Sequence, residues 1–194
     1  MKLCGLTGGV GMGKSTAAGF FLQLGIRILD TDELARELVQ PGQPAVAEIE
    51  RAFGPGVMRA GGGVQRERLA DRVFSDVGAR KELEAILHPR IRERWQGQIE
   101  IWRSEHCPAA MVVIPLLFET AAESQFDRII CVACSAAAQQ QRLRARGWPA
   151  DQIHGRIAAQ WPTEQKMARS HGVIWTEGSI AVHRRQVEAL CQRL

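Results

Sequence analysis

The chain has 194 residues, 45% of them apolar and 24% charged, with a formal net charge of +4. A chain of this length buries one substantial core with room for an inserted subdomain but not two full domains, and no apolar run approaches the roughly 18 residues of a membrane span. Its basic residues are scattered without interleaved aromatics, a pattern that fits a small anionic ligand as well as nucleic acid, and neither a nucleic-acid nor a membrane partner is expected.

The apolar run from Lys2 to Leu6 reads as a strand that stops at glycines. Those glycines deny it the core of a signal peptide, and the five cysteines lack disulfide-framework spacing, so a reducing, cytoplasmic setting is expected. Beyond Lys14, Ala17, Phe20, Phe21 and Leu24 recur at helical spacing until Gly25 ends the helix. Ile26 to Leu29 reads as a second strand, closed by Asp30-Thr31-Asp32. From there to about residue 103 the pattern is helical, with Leu34/Leu38, Val46/Ile49/Phe53, Leu69/Val73 and Ile91/Trp95/Ile99/Trp102, broken only by the turn-like Ala60-Gly61-Gly62-Gly63.

Strands return at Met111 to Ile114 and Arg128 to Ala133, helices are expected near Ser135, Pro149 and Pro162, and a weak strand at Val173 to Trp175 precedes a closing helix. The Cys131-x-x-Cys134 pair falls in a buried strand, where positions i and i+3 face opposite ways, so two core thiols are expected and not a redox pair. Strands alternating with helices predict an α/β fold, a parallel sheet flanked by helices. One domain is expected, with a core over 1–31 and 104–194 and a helical insertion over about 32–103. Such an insertion at strand C-termini is the place for an acceptor site.

Gly8-Gly9-Val10-Gly11-Met12-Gly13-Lys14-Ser15 fits G-x-x-x-x-G-K-[ST] between a predicted strand and a predicted helix. Glycines there admit positive φ and expose backbone N–H groups that, with the helix N-terminus, form a nest for phosphate oxygens. Gly11, Met12, Gly13, Lys14, Ser15 and Thr16 are therefore the expected ATP-binding stretch, with Lys14 on the β- and γ-phosphates and Ser15 on Mg2+. No Asn-Lys-x-Asp run exists to read guanine, and the strand after the insertion runs into Pro115-Leu116-Leu117-Phe118-Glu119 instead of a magnesium-holding aspartate. Transfer of phosphate to an acceptor remains, and Asp32, just past a strand neighbouring the loop strand, is placed to serve it. Asp32 also suits the cap of a helix starting at Glu33. Arg142 and Arg146 share a helix face while Arg144 points elsewhere; the pair fits either a clamp on the transferring phosphoryl group or a solvated basic face.

LTGGVGMGKST, ILDTDELAR, LEAILHPRI, VVIPLLFE and RIAAQ together resemble the dephospho-coenzyme A kinase family over nearly the whole chain. The resemblance implies a P-loop kinase fold with a lid, over about 139–162, and transfer of the ATP γ-phosphate to the ribose 3′-hydroxyl of dephospho-coenzyme A. It implies Asp32 as base and places Arg66 and His88 with Asp32 in the acceptor-binding region, while Lys14 of the loop and the Arg142/Arg146 pair complete the expected catalytic set. His88 can instead end one helix before Pro89 opens the next, and Glu119 can be a solvated residue after its strand. The family's Asn, two residues before a Gly after the last strand, is Thr176 here, followed by Gly178. A nucleoside or nucleotide kinase of similar architecture is the alternative enzyme. A nucleotide sensor without turnover is the alternative from another class, one with no need of Asp32.

Overall fold

The three central strands are near-continuous apolar runs because they are buried on both faces. In β1 (Lys2–Thr7) and β4 (Arg128–Ala133) every residue after the first is buried. This computed structural model describes residues 1–194, apart from the side chains of residues 74 and 75. With β2 (Arg27–Asp30), β3 (Ala109–Val113) and β5 (Gly172–Trp175), these strands form one parallel sheet in the order β2-β3-β1-β4-β5. Leu6 pairs with Val113 on one side of β1 and Ile130 on the other. The chain therefore leaves β1 between two neighbours that it reaches by separate crossovers, the place where an open α/β sheet forms its crevice.

Two compact units divide the chain, Met1–Asp30 with Ile101–Leu194, and Thr31–Glu100. The first holds the sheet, α1 (Lys14–Gln23), α6 (Ala136–Ala145), α7 (Ala150–Ala158), α8 (Thr163–Ala168) and α9 (Ile180–Cys191). Leu6, Phe21, Met111, Val132, Ile174 and Val187 pack into one core there, each large side chain contributing roughly 1.5–3 kcal/mol by leaving water.

The second unit holds α2 (Thr31–Leu38), α3 (Pro44–Phe53), α4 (Arg66–Ser75) and most of α5 (Val77–Ser104). Its own core gathers Ala45, Ile49, Phe53, Val57 and Leu69, with Leu83 and Leu87 against them. Residues 60–63 form a tight turn: Arg59 N–H donates to Gly63 O at 3.0 Å, and Met58 bridges Val64.

Two local expectations are corrected. α2 starts at Thr31, directly on β2, so Asp32 is its second residue and not the cap of a helix beginning at Glu33. Acidic Asp32 and Glu33 in the first turn favour that start. Pro89 does not divide two helices; it lies inside α5. An internal proline costs about 3 kcal/mol through its missing N–H and a clash with the preceding turn. Packing overrides the cost: Leu83 and Leu87 before it and buried Trp95 and Ile99 after it hold both halves. Arg90 also donates to Ile86 O at 2.6 Å, and its guanidinium pairs with Glu48.

Candidate active site

The loop between β1 and α1 is shaped by its glycines. Gly8 has φ 143° and a Cβ on it would lie 2.2 Å from Val132 O, so no other residue fits without moving β4. Gly13, at φ 96°, precedes α1 in the left-handed region. No side chain caps α1 and no acid stands in its first turn, which leaves its first N–H groups and the positive end of its dipole to an anion. Lys14 Nζ lies along the loop, donating to Gly8 O at 2.8 Å and Gly9 O at 3.0 Å. Ser15 and Thr16 are exposed.

A cavity of about 450 Å³ opens beside the loop, lined by Gly11, Gly13, Thr16, Arg142, Arg146, Thr176, Gly178 and His183 among others. That is enough for a nucleotide-sized ligand. Arg142 binds Thr176 with two donors, Nη1 to Oγ1 at 2.7 Å and Nη2 to the carbonyl oxygen at 2.6 Å. Thr176 Oγ1 in turn donates to Met12 O at 2.9 Å, which ties the arginine to the loop. Arg146 follows the last residue of α6 and lines the same cavity. Arg144 instead reaches Gln140 Oε1 at 3.4 Å on the exposed side. Glu177 accepts from Ser135 Oγ and from Trp175 Nε1, and the Ser135 contact chiefly holds its carboxyl below the usual range.

The two arginines differ in attachment, and so in expected effect. Arg142→Ala should raise the KM for ATP and lower the melting temperature, because it removes the brace on Thr176. Arg146→Ala should lower kcat about 100-fold, the scale of a lost transition-state donor, with a smaller change in KM, and Arg144→Ala should leave both near the parent values. Steady-state kinetics with ATP varied, alongside thermal melts, reads all three. Equal and small effects would identify a solvated basic face.

Glu119 is not a solvated residue. Its Oε1 lies 2.8 Å from Nζ of Lys166, which is fully buried, and accepts from Trp161 N–H at 2.7 Å. Lys166 also donates to Pro115 O at 2.8 Å. This pair fastens the segment after α7 to the segment after β3, and removing one partner would leave a buried charge without its counterion. Cys131 and Cys134 are buried thiols, and burial pushes Cys131 up to about 11.

The remaining predicted residues lie in the second unit on separate helices. Asp32 is exposed in the first turn of α2, Arg66 is exposed as the first residue of α4, and His88 is half-buried on α5. Burial pushes the His88 imidazole down, with Glu84 opposing and Arg92 adding to the shift.

Two residues that line the cavity carry little signal in the sequence. Thr176 stands out only as a departure from the family's pattern, and His183 carries no local signal at all. His183 is buried edge-on to Phe20, ring centres 5.3 Å apart, and among the described residues its Nε2 has no hydrogen-bond partner. Burial lowers its pKa from the usual 6.5, with Arg142 adding to the shift. The unfolded chain therefore takes up this proton first. Stability linked to His183 is fully present above a pH of about 6.5 and is lost as the pH falls from there through the lowered folded value. Urea unfolding near pH 7.5 and 5.5 should show the loss, and His183→Phe should shrink it.

A family model described as dephospho-CoA kinase matches residues 2–181. The chain belongs to the dephospho-CoA kinase family. A dephospho-CoA kinase from Thiobacillus denitrificans is 44% identical over 195 residues, covering 100% of this chain and 95% of that relative. Among solved structures, TT1252 from Thermus thermophilus superposes with a TM-score of 0.83 at 31% identity, covering 100% of this chain and 97% of that one. A dephospho-CoA kinase from Campylobacter jejuni shares the fold, with a TM-score of 0.69 at 23% identity over 99% of this chain and 96% of that one. The chain is thus a kinase with the P-loop kinase fold. No helix is long and apolar enough to cross a membrane among the described residues.

Proposed function

We propose that this chain transfers the γ-phosphoryl group of ATP to the ribose 3′-hydroxyl of dephospho-coenzyme A, completing coenzyme A. The observation that carries the reading is the uncapped start of α1 behind a glycine loop, opening on a cavity lined by Thr16, Arg142 and Arg146. The loop N–H groups and Lys14 hold the β- and γ-phosphates, and the cavity takes the nucleoside side of ATP, with Thr176 in the family's Asn position bracing Arg142.

The second unit, Thr31–Glu100, supplies the acceptor side. There Asp32 receives the proton of the 3′-hydroxyl as its oxygen bonds to phosphorus and the bond to the β,γ-bridging oxygen breaks, releasing ADP. Arg66 and His88 bind acceptor. The α6–α7 hairpin with the residues after it, about 139–162, is the lid that brings Arg146 onto the reacting phosphate.

A divalent ion fits beside Ser15. Its hydroxyl is exposed at the loop end, beside the start of α1. Such a site suits Mg2+, which keeps waters and takes ligands from nucleotide phosphates. When bound it neutralises charge on the β- and γ-oxygens.

A coupled ADP-release assay with dephospho-coenzyme A, AMP and adenosine as acceptors tests the reading. Release should depend on dephospho-coenzyme A and yield its 3′-phosphate. Faster release with AMP or adenosine would assign a nucleotide or nucleoside kinase instead, and ATP binding without release would assign a sensor.

A further inference from the structure

Both polar groups of one loop residue are occupied by glutamine amides that come from opposite ends of the α6–α7 hairpin. Gln139, in the first turns of α6 and almost fully buried, donates from Nε2 to Val10 O at 2.8 Å. Gln160, beyond the end of α7, accepts from Val10 N–H at 2.9 Å through Oε1. The approach is close: a Cβ on Gly9 would lie 3.1 Å from Gln139 Nε2.

Gln160 is itself held in place. The next residue, Trp161, gives its N–H to Glu119 and stacks on Phe118 with ring centres 5.9 Å apart, and Arg169 lies over both rings. The anchor at the far end of the hairpin is thus a fixed point. The choice of glutamine has a chemical reason: one position must accept from an N–H and the other must donate to a carbonyl, and a neutral amide does either without placing charge beside a triphosphate.

We propose that Gln139 and Gln160 are positioning residues that pin both ends of the α6–α7 hairpin to Val10, making the apex of the phosphate loop the pivot on which Arg142 and Arg146 are carried. The pinning itself rests on the contacts above; its effect on phosphoryl transfer rests on the function proposed for the chain. Because Val10 N–H is engaged by Gln160, phosphate is left to the N–H groups further along the loop and at the start of α1. The glutamines act through Val10 and the hairpin and touch no substrate.

Two variants test this at Gln160. Gln160→Met keeps the side-chain length and removes the acceptor; Gln160→Glu keeps an acceptor. In nucleotide-free protein, amide hydrogen exchange at Val10 should speed up about tenfold in Gln160→Met, the scale of one lost hydrogen bond, and should return towards the parent rate in Gln160→Glu. In Gln160→Met the kcat for transfer should fall about tenfold while the KM for ATP stays within about threefold, because the variant loses orientation in the reacting state and not ground-state binding. The exchange arm needs no acceptor, so a parent enzyme inactive on dephospho-coenzyme A would overturn the proposed substrate without touching the pinning. Parent-like exchange at Val10 in Gln160→Met would overturn the pinning. Faster exchange with kcat within about twofold of the parent would overturn its role in catalysis.

Discussion

Lys14→Ala should leave a folded protein whose phosphoryl transfer has fallen by at least about 100- to 1,000-fold, the scale of losing a preorganised charge on the transferring phosphate. Fold and function separate here because of where Lys14 sits. It is the first residue of α1, half-exposed, and its ammonium group meets the carbonyls of Gly8 and Gly9 and not an apolar core. Losing those two contacts costs about 1–3 kcal/mol for a half-exposed group, which a cooperative domain of this size tolerates. Thermal melts, ATP titration and product formation together check the expectation. Turnover within tenfold of the parent would mean that the loop is not where phosphate is transferred.

Asp32→Asn is the second large effect. Asparagine keeps the size and loses the charge, so a residue that orients the acceptor hydroxyl and takes its proton should lose at least about 100-fold in kcat, with ATP affinity unchanged. The structural alternative is small. As the second residue of α2, Asp32 favours the helix dipole by about 0.3–1 kcal/mol and does not act as the cap, because α2 has already begun at Thr31. Melting temperature and 3′-phosphate formation separate the two roles. A slightly destabilised but fully active Asp32→Asn protein would remove Asp32 from the chemistry and leave it as a helix residue.

The phosphate loop was legible in the sequence because its signal is local. Gly8, Gly13, Lys14 and Ser15 lie within eight consecutive positions, the strand before them is an apolar run that stops at glycines, and the helix after them follows from a periodicity of 3.6 residues. Unbroken apolar runs likewise announced strands covered on both faces. The residues that resisted reading depend on distant partners. Pro89 looked like a boundary because local propensity opposes an internal proline, and only the packing of Leu87, Trp95 and Ile99 reverses that preference. Glu119 looked solvated until β3, α7 and α8 brought Lys166 and Trp161 N–H to it.

What the sequence by itself determined is the order of strands and helices, the loop that takes a triphosphate and the family to which both belong. What only the tertiary structure decided is which side chains brace that loop. Arg142 on Thr176, His183 on Phe20, and Gln139 and Gln160 on Val10 join residues between 34 and 163 positions apart. No helical or strand period relates such positions. Their meeting is set by the stacking of five parallel strands, whose C-terminal ends bring to one crevice what the chain keeps apart.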